Sequence, residues 1–397
     1  TSEIMRHIAP IGWGLVTLAV IEWLFTFRLL QKREPQPELN FDRDKYVRLH
    51  YLRDNLGVIR EKHAIWMSII GLATFWAISQ VMLAAFPAFA KDALGVTNTV
   101  VIQGILACAG IGIIIGSLIA GRSSRNYIET GLIPVGALGV SIAIAMIPGL
   151  QTTAGMALAF LFIGIMGGLF MIPLNALIQF HARSENLGTV LAGNNWIQNV
   201  AMLSFLILTV AFAMGGINSV GLFYILTGVA IIGTGYTVRQ LPHSLARIIA
   251  TVVLKRRYRI KVVGFRNLPQ SGPVLLLGNH ISWIDWALVQ IACPRPVRFV
   301  MLRRIYNTWY LKPIFKLFGV VPIASGQSKQ SLEAVNGLLK KGEVVCLFPE
   351  GAISRNGQLG KFHSGYERTI EDVEGGVIVP FYLRGLWGST FSRADEG

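Results

Sequence analysis

Charged side chains are scarce. Asp, Glu, Lys and Arg make up 14% of the 397 residues, against about 25% in a soluble domain. That excludes a fully water-soluble chain, and the 53% of hydrophobic residues excludes disorder. Cysteine is nearly absent: Cys108, Cys293 and Cys346 have neither metal-ligand nor redox spacing. A disulfide scaffold is therefore excluded, and free reduced thiols are expected. No ligand cluster has metal-binding spacing, so no metal is expected. Acids are scarcest in the middle. Residues 239–332 hold 15 Lys and Arg and one acid, Asp285, and supply +14 of the net charge of +15. A basic block after hydrophobic segments points to an anionic membrane surface. Nucleic acid is not expected, because no recognition motif or aromatic–basic interleaving is present.

What is abundant is long apolar runs. A membrane span needs about 20 mainly apolar residues. Seven candidates run near Ile8–Leu30, Ala64–Phe86, Thr99–Ala120, Tyr127–Ile147, Ala154–Gln179, Val190–Ala213 and Val220–Val238. The first is too long, and too internally charged at Glu22, for a cleaved signal peptide. The loop 31–63 carries Lys32, Arg33, Arg43, Lys45, Arg48, Arg53, Arg60 and Lys62. Arg122, Arg125, Arg183 and Arg239 fall in loops on that same side, and the opposite loops hold Lys91 at most. The basic side is expected to be cytoplasmic, which puts the C-terminal block in the cytoplasm.

Small residues are dense in these spans, at Gly110, Gly112, Gly116, Gly164, Gly167 and Gly168. They serve close helix packing or helices that rock against each other. Gln80, Gln103, Asn175, Gln179, Asn194, Asn195, Gln198 and Asn199 are costly to expose to lipid. They are expected to face a bundle interior or a transport cavity, or to bond between helices. Glu22 is either an intramembrane functional carboxylate or a partner of Arg28 at the membrane edge.

The run Gly164-Ile-Met-Gly-Gly-Leu-Phe-Met-Ile-Pro-Leu-Asn-Ala-Leu-Ile-Gln179, with Ala192-Gly-Asn-Asn, Gln198-Asn199 and Phe75-Trp76, resembles the lysophospholipid transporters of the major facilitator superfamily. The resemblance covers roughly residues 60–235. It implies helices six to twelve of a twelve-helix transporter, with the first five missing from this piece of a longer protein. Two-half transporters bind substrate between their halves, so the cavity of this piece is expected to be incomplete.

Residues 243–255 put Leu245, Ile248, Ile249, Val252 and Val253 on one helical face, flanked by Arg247 and Lys255. This reads as an interfacial amphipathic helix or as an ordinary domain helix. Beyond it, strand-like runs are Arg259–Val263, Val274–Leu277, Val297–Met301, Val320–Ala324, Val344–Phe348 and Val377–Leu383. They alternate with helix-like runs at Trp283–Ala292, Tyr310–Leu317, Ser328–Lys341 and Ser364–Glu371. Such alternation predicts a mostly parallel α/β sheet, with its site in loops after strand ends.

His280 leaves one strand, and Asp285 follows five residues later in the first turn of a helix. A carboxylate so placed can turn back to the imidazole, fix its tautomer and let it take a proton from a substrate hydroxyl. A structural role suits this pair equally when it is taken alone. Cys346-Leu-Phe-Pro-Glu-Gly351 leaves another strand, as a simple turn or as one presenting Glu350 and amides to a substrate. Together, Asn279-His280-x-x-x-x-Asp285 and Phe348-Pro-Glu-Gly351 resemble the glycerophospholipid acyltransferases over residues 245–390, with Val379-Pro380 resembling their last motif. The resemblance implies acyl transfer from a thioester to a glycerol hydroxyl. His280 would be the base, Asp285 its orienter, and Asn279, Glu350, Gly351, Arg355 and Arg384 the acceptor site.

The Args common in that family are missing from Val321-Pro-Ile-Ala-Ser325 and from Ala352-Ile-Ser354. Guanidinium forks suit a phosphate monoester, so a phosphodiester acceptor is expected. The same departures resemble the 2-acylglycerophosphoethanolamine acyltransferases. That resemblance implies lysophosphatidylethanolamine as acceptor, acyl-ACP or acyl-CoA as donor, acyl carrier protein as partner and no bound cofactor. It also implies a trifunctional parent with an acyl-ACP synthetase domain.

The expected fold is multidomain. An all-α polytopic membrane bundle over 1–240, the C-terminal part of a major facilitator fold, precedes an α/β glycerolipid acyltransferase domain over 241–397. The expected location is the bacterial inner membrane, multi-pass, with the acyltransferase domain cytoplasmic. Rival readings are a membrane-anchored lysophosphatidic acid acyltransferase, a pure transporter with a regulatory soluble domain, and a drug or ion exporter.

Overall fold

The computed structural model describes residues 2–28, 42–125, 127–264, 267–323 and 328–394. They form two compact units, Thr1–Asp54 and Asn55–Gly397. The first holds α1 (Ser2–Thr26), α2 (Arg43–Val47) and the start of α3 (His50–Glu61). The first expected span, Ile8–Leu30, falls on α1, which is 25 residues long, and its last residues lie outside the described residues. Glu22 is exposed, and among the described residues it forms no ion pair with Arg28. Lys32 and Arg33 of the basic loop lie outside the described residues, as do Ala324 and Ser325 farther on.

The second unit contains, among the described residues, six helices long and apolar enough to cross a membrane, and these match the second to seventh expected spans. They are α4 (His63–Leu94), α5 (Thr99–Ser123), α6 (Leu132–Met146, extended by a 3-10 turn to Gly149), α7 (Thr153–His181), α8 (Leu187–Met214) and α9 (Ser219–Gln240). Side-chain oxygens of Asn98, Thr152 and Asn218 accept from backbone N–H groups in the first turns of α5, α7 and α9. They satisfy donors that a helix start leaves unpaired. The fourth expected span, Tyr127–Ile147, starts five residues late: 127–131 form a loop before α6. The glycines pack α5 on α7. A Cβ on Gly112 or Gly116 would collide with the α7 backbone at Leu161 or Ile165, and one on Gly164 with Ala109. Close backbone approach is thus their use here.

α10 (Pro242–Arg257) follows directly. Ile249, Val252 and Val253 are exposed on it, as an interfacial face requires. Ile248 instead packs against Ala120, Leu132 and Leu169 of the bundle. Arg247, expected to flank the apolar face, is 2% exposed. Its guanidinium lies 2.7 Å from Glu129 of the α5–α6 loop and donates to the Pro294 carbonyl at 2.6 Å. Its cation also sits 4.7 Å from the Tyr127 ring centroid. Burial pushes the Tyr127 phenol up to about 12, against the opposing pull of Arg247. Ser244 accepts from Thr130 at 2.7 Å, and a Cβ on Gly131 would collide with the Ser244 carbonyl. A second tie joins His243 to Arg298, 3.3 Å apart, while Arg298 also pairs with Glu343 at 3.0 Å.

The remaining residues form a parallel five-stranded sheet of order β3-β2-β4-β1-β5. Its strands are β1 (Val274–Gly278), β2 (Val297–Leu302), β3 (Val321–Ile323), β4 (Val344–Leu347) and β5 (Val377–Phe381). The expected strand Arg259–Val263 is irregular and largely exposed: its alternation finds no neighbouring strand to pair with. Four α-helices complete this part, α11 (Asp285–Ala292), α12 (Arg303–Tyr306), α13 (Lys312–Leu317) and α14 (Ser328–Lys340). The expected helix Ser364–Glu371 is a 3-10 helix, Ser364–Thr369. Alternate residues of the central strands face opposite layers. Val274, Leu276 and Cys346 pack with Val289 of α11, while Leu275, Val345 and Leu347 pack with Val335 and Leu339 of α14. Burial pushes the Cys293 thiol up to about 11 and Cys346 well above the ordinary range, so both remain neutral packing groups.

Two outcomes follow from the α10 ties. Arg247→Ala leaves Glu129 buried without its counter-charge and is expected to lower unfolding stability by about 3–5 kcal/mol; a loss below about 1 kcal/mol in calorimetry or denaturant unfolding would show the pair to be solvated. Burial first, and Arg298 second, push the His243 imidazole down to about 4 from 6.5. Its neutral form therefore contributes stability that is complete above about pH 6.5 and lost as pH falls toward 4. His243→Gln is expected to flatten the Tm-against-pH slope in that window relative to the unsubstituted protein.

Candidate active site

The sheet order sets the site. From β1 the chain moves toward β2 on one side, and from β4 it moves toward β5 on the other. Right-handed crossovers then place the two connections on opposite faces, leaving a crevice at the C-terminal ends of β1 and β4. His280 lies two residues past β1 and Glu350 three past β4.

Asp285, fully buried, is the first residue of α11. Its Oδ2 accepts from His280 Nδ1 at 2.8 Å, Ile281 N–H at 2.7 Å and Ser282 N–H at 3.0 Å. Its Oδ1 accepts from the Ser282 hydroxyl. Four donors hold an anion at a helix start, where it is favoured. Because a carboxylate only accepts, His280 carries its proton on Nδ1, and Nε2 presents a lone pair. Nε2 has no hydrogen-bond partner among the described residues, and the side chain is 23% exposed. The imidazole stacks on Phe348, with centroids 4.2 Å apart and planes at 15°. The Phe348 ring meets Phe381 edge-on at 6.1 Å. A Cβ on Gly278 would strike the Phe381 ring, so glycine there admits this aromatic wall.

Glu350 is not free. One carboxylate oxygen accepts from the His280 N–H at 2.9 Å and the other from Gly360 N–H at 2.7 Å. It holds the backbone under the base. Gly351 adopts φ +71°, a left-handed turn conformation that glycine takes without strain. Asn279 is likewise committed, donating to the Leu383 carbonyl at 2.9 Å and accepting from the Leu383 N–H at 2.7 Å. Its amide thus staples the end of β1 to the chain after β5 instead of facing an acceptor. Arg355 and Arg384 are exposed. Each directly follows a residue bonded to the His280 region: Ser354 N–H donates to the His280 carbonyl at 2.7 Å, and Leu383 pairs with Asn279. Both residues therefore lie on loops bonded to the His280 region.

Sequence reasoning missed Ser282, the Phe348 stack, and the backbone-holding roles of Asn279 and Glu350. Ser282, three residues before an acid at a helix start, was the one legible signal. The membrane residues divide. Asn194 is buried and accepts from Gln198 at 2.7 Å, and Asn175 donates to the Met171 carbonyl at 3.0 Å. Gln80 is half-buried; Gln103, Gln179, Asn195 and Asn199 are exposed. None of the eight lines the large cavity of about 800 Å³ in the bundle. Among the described residues, no group of three His, Cys, Asp or Glu is placed to hold a metal.

Residues 8–206 match the family model of the Major Facilitator Superfamily, and the chain belongs to that superfamily. Residues 259–384 match the Acyltransferase family model, so an acyltransferase domain follows the membrane bundle. The chain is 29% identical over 164 residues to a chloroplastic 1-acyl-sn-glycerol-3-phosphate acyltransferase of Arabidopsis thaliana, covering 40% of this chain and 45% of that one. It is 34% identical over 142 residues to the lysophospholipid transporter of Serratia proteamaculans, covering 35% of each. A probable 1-acyl-sn-glycerol-3-phosphate acyltransferase of Mycoplasma pneumoniae is 28% identical over 155 residues, covering 37% of this chain and 57% of that one. The chain thus spans about half the length of its acyltransferase relatives and about a third of the transporter. No solved structure matches it.

The Asn279 staple gives a direct check. Asn279→Leu strands the buried-side N–H and carbonyl of Leu383, and is expected to cost about 1–3 kcal/mol in denaturant unfolding. Arg355→Ala, at an exposed position, should move stability by less than about 0.5 kcal/mol. Equal small effects would refute the staple.

Proposed function

We propose that the chain carries lysophospholipid across a bacterial inner membrane and re-acylates it on the cytoplasmic face, with lysophosphatidylethanolamine as the acceptor. The observation that carries this is the His280–Asp285 pair with a free Nε2, built into a domain that buried contacts tie to a bundle of transporter type. His280 Nε2 takes the proton of the glycerol hydroxyl as that oxygen attacks the thioester carbonyl. Asp285 stabilises the imidazolium. The tetrahedral oxyanion collapses, the C–S bond breaks, and the thiolate takes the proton from His280. The products are an ester and a free thiol. Acyl-ACP or acyl-CoA is the donor, and the basic block suits acidic acyl carrier protein as a partner.

Several features support the arrangement. Lys62, Arg122, Arg125, Arg183 and Arg239 lie at the bundle end that adjoins α10, so the acyltransferase domain is on the basic, cytoplasmic side. Residence on one chain raises the effective concentration of acceptor at the second site. Only 6% of the most apolar window of α8 is buried, and Asn195 and Asn199 stand exposed there. That face is where the remaining helices of a two-half transporter would sit. An acyl-ACP synthetase domain in a longer parent would regenerate the donor.

The crevice walls support this choice of acceptor. Behind the Phe-Pro-Glu-Gly turn, Ile353 and Ser354 are buried, and the Ser354 hydroxyl is committed to the Gln358 carbonyl at 2.8 Å. No guanidinium sits there to fork onto a phosphate monoester. The second reading, a lysophosphatidic acid acceptor, draws on the names of the acyltransferase relatives and on the exposed Arg355 and Arg384.

The test is acyl transfer by the purified protein in detergent, with both acceptors and both donors. Transfer to lysophosphatidylethanolamine is expected to exceed transfer to lysophosphatidic acid. His280→Ala is expected to lower it by about 10²–10⁴-fold, the usual worth of a general base. The reverse preference would establish the second reading, and transfer independent of His280 would remove the base.

A further inference from the structure

The bundle's large cavity holds none of the amides expected to line a transport path, which leaves its own purpose open. It is a groove of about 800 Å³ among α4, α6, α7 and α9. That volume falls within the range of single-ligand sites, about 300–1,000 Å³. Its walls are apolar, with Phe75, Ile78, Val140, Phe170 and Leu174 among them. At one end stand His63 at the start of α4, Gln240 at the close of α9 and Thr130 before α6, while the hydroxyls of Ser68, Thr74 and Thr234 farther in are bonded to the Ala64 and Ile70 carbonyls and to Ser141. No Asp, Glu, Lys or Arg lines it among the described residues.

The groove has depth, an open side and an address. On α4 it runs from His63 to Ile78, about 22 Å at 1.5 Å per residue. That is deeper than one leaflet of a hydrocarbon core about 30 Å thick. Ile70 of α4 and Ile232 of α9 line it and are themselves exposed, so lipid can enter sideways between these helices. Across the mouth, Tyr236 of α9 donates to the Met67 sulfur at 2.9 Å and accepts from Gln240. A thioether is a weak acceptor, so this rung opens at little cost. At the same end Thr130 bonds Ser244 of α10, the helix whose Arg247 grips the acyltransferase domain.

We propose that this groove binds a single-chain phospholipid, its acyl chain between α4, α6, α7 and α9 and its head group at the mouth beside α10. The inference rests on the lysophospholipid reading above and deepens it by naming the site within the bundle. An apolar body with an uncharged polar mouth matches an amphiphile whose head group carries no net charge, as a phosphoethanolamine does near neutral pH.

Gly233 supplies the variant. It lines the groove, and a Cβ there meets nothing within 4 Å. Gly233→Leu therefore starts a side chain into the groove with no clash at its Cβ. The probe is lysophosphatidylethanolamine with a photoreactive diazirine near the end of its acyl chain. It is cross-linked to the full chain in liposomes of phosphatidylcholine and phosphatidylglycerol and mapped by mass spectrometry. Adducts are expected on groove positions of α4 and α9. Unlabelled lysophosphatidylethanolamine in excess should suppress them at least tenfold, Gly233→Leu should do the same, and Gly233→Ala should have a smaller effect. Adducts spread over outward positions such as Ile111, Ile114 and Leu118 of α5 would overturn the site. Equal competition by diacyl phosphatidylethanolamine would overturn the single-chain assignment. Should Gly233→Leu fail to fold, the unsubstituted protein's adduct map and competition still decide. Acyl transfer by the same preparation is measured separately, so its absence counts against the enzymatic reading while groove labelling counts for the site.

Discussion

The buried pair of Arg247 and Glu129 is the constraint on which the rest of this structure depends. Two opposite charges, 2% and 4% exposed, meet at 2.7 Å where a membrane loop, an interfacial helix and a soluble sheet converge. Taking such charges out of water costs several kcal/mol each, and directed hydrogen bonds offset that cost at every polar atom of the pair except the buried Arg247 Nε. Glu129 also accepts from Tyr127 and the Gly131 N–H, and Arg247 also donates to the Pro294 carbonyl. A hydrophobic contact would allow α10 to slide or roll, whereas a charge pair with directed hydrogen bonds fixes its register. Pro294 follows α11, and α11 begins with the aspartate that orients His280. The geometry of His280 is therefore anchored, through one short helix, to the membrane bundle.

The second organising fact is the crossing of connections at β1 and β4. It opens a crevice at the one place where loops from both strands can converge, and the chain uses it economically. His280 is held by Asp285 at its ring, by Glu350 at its backbone N–H and by Phe348 across its face. Glu350 and Asn279 therefore act on the scaffold that presents the imidazole. In the membrane a similar division of labour holds. Glycines set the α5–α7 contact, amides bond within or beside α7 and α8, and the open space lies elsewhere, among apolar walls.

Much of this was legible in the sequence because it is local. Hydrophobic run length located α4 to α9, and strand–helix alternation located five strands. The five-residue spacing from His280 to Asp285 showed the dyad, since a helix start brings those side chains together. What was hidden depends on distance along the chain. Arg247 and Glu129 are 118 residues apart, and Arg247 on a helical wheel looks like a solvated flank. Glu129 sat unnoticed inside a hydropathy run from Tyr127, which averaging extends over a loop. Arg259–Val263 alternates as a strand does, but a strand exists only beside another. Asn279 and Glu350 looked like ligand groups, because sequence cannot show that backbone 104 or 70 residues away already occupies them.

The central claim is that the bundle delivers lysophospholipid to the His280 site. The most direct measurement places lysophosphatidylethanolamine only in the leaflet opposite the acyltransferase domain of reconstituted liposomes, supplies donor on the domain's side, and follows diacyl product with time. The account predicts His280-dependent product well above the rate of spontaneous lipid flip, and nearly equal to that seen when acceptor is given on the domain's own side. Product formed only when acceptor is presented to the domain's own leaflet would contradict it, leaving an acyltransferase that the bundle merely anchors.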